Sequence, residues 1–458
     1  MYNKIFWAGV LLLFPLFFAP STFAQSPIRV TSNTHQVDFP KFMRFAIQAS
    51  SDAPITVMRL TVGQRGVALS SRHSPTFTSA KEVRAVFDWN FQGFREGGYL
   101  PPGTHGDFTW HIEDAAGNVY DTPRQNYVVT DNSQKWQELS NDKIRVSWHA
   151  GSPQFGKAIF ERANVAREFF AKELQIKNVA PLEIFIYADR QEFFDSLPAF
   201  SAEWTGGRMF PEYGVIMINF GADNLDWGLR ATSHELSHAI LHAKIRGILG
   251  ELALPHWLDE GLAVYNETDD HAPDAQFEEG YQNALRRNTL IPLRKLQFRF
   301  PEDTDQAQLA YGESYAIVKF MIDAYGREKF AELLNVYQNG ALPDEGLQRV
   351  YGMNQDQIEN AWRAKIGAPL REVVISTLPT LEARPTFEVS APLSNTATPT
   401  REIEPTLEPT RVSAIETPPP ANSIPAPSAP ASGLCGGVLA LGGWIVLGLA
   451  QRRVRRVE

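Results

Sequence analysis

The hydrophobic and polar positions change their spacing once along the chain. Within residues 26–130 apolar and polar side chains alternate, and the clearest case is the row Phe108, Trp110 and Ile112, which is interleaved with polar residues. A period of two predicts strands with one buried face. Residues 114–118 have the composition of a hairpin turn. This region is therefore predicted to consist of short antiparallel strands.

From about residue 134 the pattern becomes mixed and then mostly helical. Residues 182–187 form an apolar run typical of a buried strand, whereas 155–175 has the spacing of an amphipathic helix. Helical spacing dominates from about 224 to 370. The chain is thus predicted to be multidomain. An all-β immunoglobulin-like sandwich over 26–130 is followed by an α+β domain over 134–370 with a mostly helical C-terminal half.

Both ends of the chain have the sequence features of an exported, membrane-anchored protein. Residues 1–24 combine Lys4, an apolar run and a small residue at the plausible cleavage point Ala24, which predicts a signal peptide, with an uncleaved anchor as the alternative. Residues 434–450 are uncharged and precede four arginines, which predicts a single transmembrane helix with a cytoplasmic Arg-rich end. This tail also resembles bacterial C-terminal sorting tails. We expect an exported, single-pass protein with an extracytoplasmic globular part.

The segment between the globular part and this helix differs in composition. Residues 376–432 contain 12 prolines and no tryptophan. Such a segment cannot bury enough apolar surface to fold, so we predict a disordered Pro/Thr-rich stalk.

The charge and the cysteine content exclude some classes of binding partner and of metal site. The net charge is −9, and the acidic excess lies within 131–375, which argues against nucleic acid as a partner. The one cysteine, Cys435, excludes an intramolecular disulfide and a cysteine-rich metal site. The sequence does not indicate an oligomeric state.

The pentapeptide His-Glu-Leu-Ser-His at 234–238 has the spacing of a metal site. His234 and His238 are four residues apart and share one face of a helix predicted for about 224–244. This arrangement is typical of Zn²⁺ binding, with Glu235 facing a bound water. Catalytic zinc takes three protein ligands, and Glu260, on a helix after Pro255, is the candidate for the third. 

Two other histidines are alternatives for the third ligand. His242 lies one further turn along the same helix, so we expect it to point past the metal. His256 is expected to be a capping or packing residue.

Residues 257–267, Trp-Leu-Asp-Glu-Gly-Leu-Ala-Val-Tyr-Asn-Glu, resemble the WLNEGFAxYxE stretch of the aminopeptidase N family of gluzincins. The resemblance implies that Glu260 is the third zinc ligand and that one Zn²⁺ binds per chain. Asp259 replaces the family's Asn, a change expected to leave ligation intact. The order of elements over 134–370 is similar to peptidase MA-like domains. In such domains the strand before the zinc helix, here 213–219, forms the sheet edge that an extended substrate joins.

The resemblance also implies a mechanism, the hydrolysis of peptide bonds through a zinc-bound water. Glu235 would be the general base, and a tyrosine of a later helix would stabilise the oxyanion. The corresponding place holds Ala-Tyr-Gly-Glu-Ser-Tyr-Ala at 310–316, so Tyr311 is the candidate and Tyr315 the reserve. The order of Glu and Gly there differs from the family.

The family's Gly-x-Met-Glu-Asn element, which anchors a free amino terminus, has no clear counterpart. The nearest stretch, residues 206–210, lacks the acidic residue. We therefore predict an endopeptidase-like zinc metallopeptidase that acts on peptides or proteins. The alternative is a catalytically idle, peptidase-like binding or adhesion protein of the cell surface.

Overall fold

The computed structural model describes residues 27–93, 97–199, 201 and 206–372. The predicted signal peptide (1–24), stalk (376–432) and membrane helix (434–450) lie outside the described residues. Among the residues that are described, no helix is both long and apolar enough to cross a membrane.

The N-terminal region consists of two antiparallel sheets that face each other. Its strands are β1 (Arg29–Asp38), β2 (Phe42–Ser50), β3 (Ile55–Gln64), β4 (Ser71–His73), β5 (Glu82–Asn90), β6 (His105–Asp114), β7 (Val119–Asp121) and β8 (Gln125–Val128). One sheet has the order β1-β2-β5. The other has the order β4-β3-β6-β7, with β8 also paired to β6.

The core of this region lies between the two sheets. Phe45 of β2 and Phe108 of β6 are fully buried, and their ring centroids lie 4.9 Å apart in an edge-on contact between the sheets. The alternation that predicted strands matches the burial, because Phe108, Trp110 and Ile112 all point into this core. The predicted β-rich N-terminal region is confirmed. Its immunoglobulin-like type stays a prediction.

A mixed sheet opens the second region. Its strands and helices are β9 (Gln137–Ser140), β10 (Ile144–Trp148), α1 (Pro153–Glu173), β11 (Leu182–Tyr187), α2 (Arg190–Asp195), β12 (Gly207–Phe210) and β13 (Val215–Asn219). The strand order is β12-β13-β11-β10-β9, in which β10, β11 and β13 are parallel to one another and the two outer strands are antiparallel to their neighbours. The strand before the metal-site helix, β13, is therefore internal. The expectation that residues 213–219 form the sheet edge is wrong, because the preceding strand folds back beside β13 and takes that edge.

The remainder is helical, as predicted. The helices are α3 (Leu225–Ile245), α4 (Ile248–Ala253), α5 (His256–Tyr265), α6 (Ala275–Arg287), α7 (Thr304–Tyr325), α8 (Arg327–Gln338), α9 (Pro343–Tyr351) and α10 (Gln355–Ile366), with 3₁₀ turns at Ala222–Asn224 and Leu293–Leu296. Helices α1 and α3, the sheet, and the later helices share one continuous hydrophobic core.

The sandwich contacts the second region through specific polar and aromatic groups. The Tyr99 hydroxyl donates to the carbonyl of Ser196 at 2.5 Å, and its ring centroid lies 5.3 Å from that of Phe210. Just after the sandwich, buried Asp131 Oδ2 accepts a hydrogen bond from the Tyr187 hydroxyl at 2.8 Å. The edge strand β12 is therefore braced by the sandwich at its Phe210 end.

Candidate metal centre

Helix α3 carries its polar residues into the interior. From Ala231 to His242 every residue is buried, and this stretch includes His234, Glu235 and His238. Burial of polar groups costs free energy unless each of them finds a partner. The surrounding elements therefore have to supply those partners at defined positions.

Helix α5 brings Glu260 against α3. It can approach α7 closely because Gly261 has no side chain, and a Cβ there would lie 2.4 Å from the carbonyl oxygen of Ser314. Glu260 Oε2 lies 3.4 Å from Nε2 of His234 and 3.4 Å from Nε2 of His238. The ligand atoms of these three residues all lie within 4.8 Å of one another. The structure thus brings the three predicted ligands together.

The spacing of these atoms fits a zinc ion. Zinc bonds of about 2.0–2.1 Å in tetrahedral geometry place neighbouring ligand atoms about 3.4 Å apart. Both carboxylate oxygens of Glu260 are buried, and they lie beside Nε2 of His234, His238 and His256. Burial raises the pKa of the Glu260 carboxyl, but the adjacent His238 and His234 outweigh this and lower it to about 2. A buried, ionised carboxylate beside two imidazole nitrogens is suited to binding a cation.

The other nitrogen of each ligand histidine contacts a carboxylate. His234 Nδ1 lies 3.1 Å from Glu267 Oε1, and Arg230 donates to the second oxygen of Glu267 at 2.9 Å. His238 Nδ1 lies 2.6 Å from Asp259 Oδ1. Such contacts fix the ring so that Nε2 is available to a metal ion.

Sequence reasoning had assigned no role to Glu267. The available signal was its position as the last residue of the stretch 257–267 that resembles the family motif.

The edge strand β12 passes directly over Glu235. A Cβ at Gly207 would lie 2.5 Å from Glu235 Oε1, so a larger residue there would have to displace the carboxylate. The Glu235 side chain is fully buried. The candidate general base is therefore confined between α3 and the strand edge.

The two candidate tyrosines of α7 have different surroundings. The ring centroid of Tyr311 lies 6.3 Å from that of His234, and the ring is held between Phe277 at 5.2 Å and Phe300 at 4.9 Å. The Tyr315 hydroxyl instead donates to the carbonyl of His271 at 2.9 Å. The structure therefore brings Tyr311, and not Tyr315, to the metal-binding residues.

The two remaining histidines lie outside the ligand set. His242 points past the ligands, with Nδ1 2.7 Å from Glu251 Oε2 and Nε2 3.1 Å from Asp259 Oδ2. The ring of His256 packs 4.6 Å from Phe300, and its Nε2 is 3.8 Å from Glu260 Oε1. Burial lowers the pKa of His256. His256 is thus a packing residue beside the site.

Comparisons with known proteins identify a family for part of the chain. Residues 164–368 match the family model of the Peptidase MA superfamily. No curated protein sequence matches the chain. 

Two solved structures illustrate the level of structural likeness. The M1 zinc metallopeptidase from Deinococcus radiodurans is 13% identical over 73% of this chain and 93% of its own, with a TM-score of 0.33. An aminopeptidase N family protein from Idiomarina loihiensis is 9% identical over 73% of each chain, with a TM-score of 0.34. Similarity at this TM-score is too low to support an inference about this chain.

Proposed function

We propose that this chain, which carries a gluzincin peptidase MA-like domain, is a zinc-dependent peptidase that binds one Zn²⁺ per chain and cleaves within peptide chains. The observation that carries the proposal is the position of Glu260 Oε2, 3.4 Å from Nε2 of both His234 and His238. Two imidazoles and one carboxylate are the ligand set of a catalytic zinc site with one open position.

Each residue of the site has a distinct task in hydrolysis. His234, His238 and Glu260 would hold the ion, which when bound acts as a Lewis acid on a carbonyl and lowers the pKa of water. Glu235 takes the proton of the attacking water and later delivers it to the leaving amine. The Tyr311 hydroxyl donates a hydrogen bond to the oxyanion.

The endopeptidase-like character is supported by the stretch that corresponds to the family's amino-terminus anchor. Phe210 stands where an acidic residue would be expected, and it is 3% exposed with its ring against Tyr99. A phenyl ring has no carboxylate with which to form an ion pair with a substrate's ammonium group. A substrate that continues on both sides of the cleaved bond needs no such anchor.

The location of the protein is proposed from sequence alone. The features of residues 1–24 and 434–450 support export and anchoring by the C-terminus. The catalytic domain would then act on peptides or proteins outside the cytoplasmic membrane.

Glu235→Gln tests the proposal most directly. The carboxamide cannot take up the water's proton, so we expect hydrolysis to fall about 10²- to 10⁴-fold while zinc content stays at one per chain. The measurements are zinc by elemental analysis and cleavage of an internally quenched peptide with both ends blocked. The matched control, Glu161→Gln, alters an exposed carboxylate that lies 3.5 Å from Lys157 Nζ and should match the wild type.

Three outcomes of this experiment would contradict separate parts of the proposal. Wild-type protein without zinc after reconstitution would refute the metal site. Undiminished cleavage by Glu235→Gln would refute the assignment of the base. Cleavage only of substrates with a free amino terminus would refute the endopeptidase character.

A further inference from the structure

Four side chains form a continuous line from the surface to the metal centre. Glu251 Oε2 lies 2.7 Å from His242 Nδ1, His242 Nε2 lies 3.1 Å from Asp259 Oδ2, and Asp259 Oδ1 lies 2.6 Å from His238 Nδ1. The Glu251 side chain is 37% exposed, whereas the side chains of His242, Asp259 and His238 are at most 5% exposed. We call these four residues the relay.

The geometry of the relay fixes the positions of its protons. A ligand histidine presents Nε2 to the metal, so His238 carries its proton on Nδ1 and donates it to Asp259. His242 has a carboxylate oxygen at each ring nitrogen, so both nitrogens donate and the ring is an imidazolium. Asp259 therefore accepts one hydrogen bond through each of its two oxygens, from two different histidines.

A carboxylate at 259 accepts from both histidines at once, one through each oxygen. An asparagine at 259 would offer one acceptor oxygen and one amide NH₂ group. With its oxygen on His238 Nδ1–H, its NH₂ group would face His242 Nε2, which accepts a hydrogen bond only when the His242 ring is neutral. The atoms of His238, His242 and Asp259 also lie within 4.8 Å of one another, and these hydrogen bonds account for their proximity.

We propose that His242, held by Glu251, is a positioning residue of the metal centre. It fixes Asp259, and through Asp259 it fixes the orientation and the tautomer of His238. This inference rests on the proposed zinc-binding function. It gives His242 a task although it is not a ligand, and it explains why both oxygens of Asp259 face a histidine nitrogen.

A double-mutant cycle in the full-length protein tests the relay. Asp259→Ala alone should weaken zinc binding about 10- to 100-fold, the usual cost of losing an outer hydrogen-bond partner of a metal ligand. His242→Gln alone should weaken it about tenfold or less. The double variant should bind zinc no more weakly than Asp259→Ala alone, because His242 acts on His238 through Asp259.

Two measurements report on the site without relying on activity. Zinc affinity is measured by competition with a chromophoric chelator, and the visible absorption of the Co²⁺-substituted protein reports ligand geometry. We expect the single variants to shift the cobalt spectrum and the spectrum of the double variant to match that of Asp259→Ala. His149→Asn is the control for lost stability alone. The His149 side chain is 10% exposed, and its Nε2 accepts from the backbone N–H of Ala188 at 3.1 Å, so only the melting temperature should fall.

The outcomes separate this inference from the proposed function. Losses of affinity that add in the double variant, or a His242→Gln protein with wild-type affinity and cobalt spectrum, would overturn the relay alone. A wild-type chain that binds no zinc would overturn the proposed function and the relay with it. Should His242→Gln fail to fold, Glu251→Gln at the exposed end should give a smaller shift of the cobalt spectrum, with Glu161→Gln as its control. No difference between those two proteins would also overturn the inference.

Discussion

Tyr311 and Tyr315 lie one turn apart on α7, and the chemistry of the site depends on which hydroxyl can reach a reacting group. The ring of Tyr311 is packed between Phe277 and Phe300 and faces His234. The Tyr315 hydroxyl is already bound to the carbonyl of His271. The same substitution at each of these two tyrosines therefore serves as a control for the other.

Tyr311→Phe should lower kcat about 10²- to 10³-fold, because it removes one donor to the oxyanion. KM and zinc content should change little, since the phenyl ring keeps its packing. Tyr315→Phe should instead lower the free energy of unfolding by about 1 kcal/mol and leave kcat unchanged. Steady-state kinetics and thermal unfolding of the two variants show which tyrosine is the oxyanion donor. A larger loss of kcat in Tyr315→Phe would reverse the assignment.

The sequence could predict the ligands because their chemistry constrains their spacing. His234 and His238 follow from the helical period, and Glu260 follows from the motif around it. The contacts of Glu267 and His242 could not be predicted in the same way. Each depends on how α4 and α5 pack on α3, and that packing is set by long-range contacts that no local pattern encodes.

At the scale of elements, the approach of β12 to α3 defines the space around Glu235, the candidate general base. Gly207 is the point of contact, where a Cβ would lie 2.5 Å from Glu235 Oε1. The hydrophobic pattern identified the strands and helices, since type and approximate limits depend on local period. It placed the wrong strand at the sheet edge, because the order of strands depends on tertiary contacts. The pairing of Gly207 with Glu235 is likewise visible only in three dimensions.

Gly207→Ala should therefore impair catalysis without removing the metal. The added methyl group must displace the Glu235 carboxylate, and a displacement of about 1 Å at a catalytic group can cost about 10²-fold in rate. Zinc affinity should stay within about twofold, since no ligand moves. The comparison is cleavage of the blocked peptide by Gly207→Ala and by Gly280→Ala. Gly280 lies in α6, where a Cβ would meet nothing closer than 3.8 Å.

The control variant Gly280→Ala has an expected effect on stability of its own. Alanine in place of the helical Gly280 should stabilise the protein by about 0.5–1 kcal/mol and leave the rate unchanged. If Gly207→Ala cleaves at the wild-type rate, the Glu235 carboxylate does not need the position that the structure gives it.

At the scale of the whole molecule, the sandwich and the sheet of the second region meet around Tyr99 and Phe210. This contact braces the end of β12, whose other end covers Glu235. The alternating pattern predicted the strands of the sandwich but could not predict this contact. A surface aromatic such as Tyr99 looks the same in sequence whether it faces solvent or a second domain. The sandwich therefore supports the strand that borders Glu235.

The topology proposed for the chain can be tested on cells. Export by residues 1–24, anchoring by 434–450 and a proline-rich stalk over 376–432 would place the folded region outside the cytoplasmic membrane. Protease added to intact cells, or to spheroplasts where an outer membrane is present, should then release a soluble active fragment by cutting within the stalk. A chain that is protected until the cytoplasmic membrane is broken would refute the topology.

Truncation before Leu434 provides the matched experiment. The shortened protein should appear in the soluble exported fraction, because the proposed anchor is absent. Its rate on a small blocked peptide should equal that of the full chain, since the stalk and the anchor contribute no ligand, base or oxyanion donor. All of those groups lie between His234 and Tyr311. A truncated protein that is exported and folded but binds zinc less tightly would show that residues beyond 433 contribute to the metal centre, and the separation of anchor from catalyst would then be wrong.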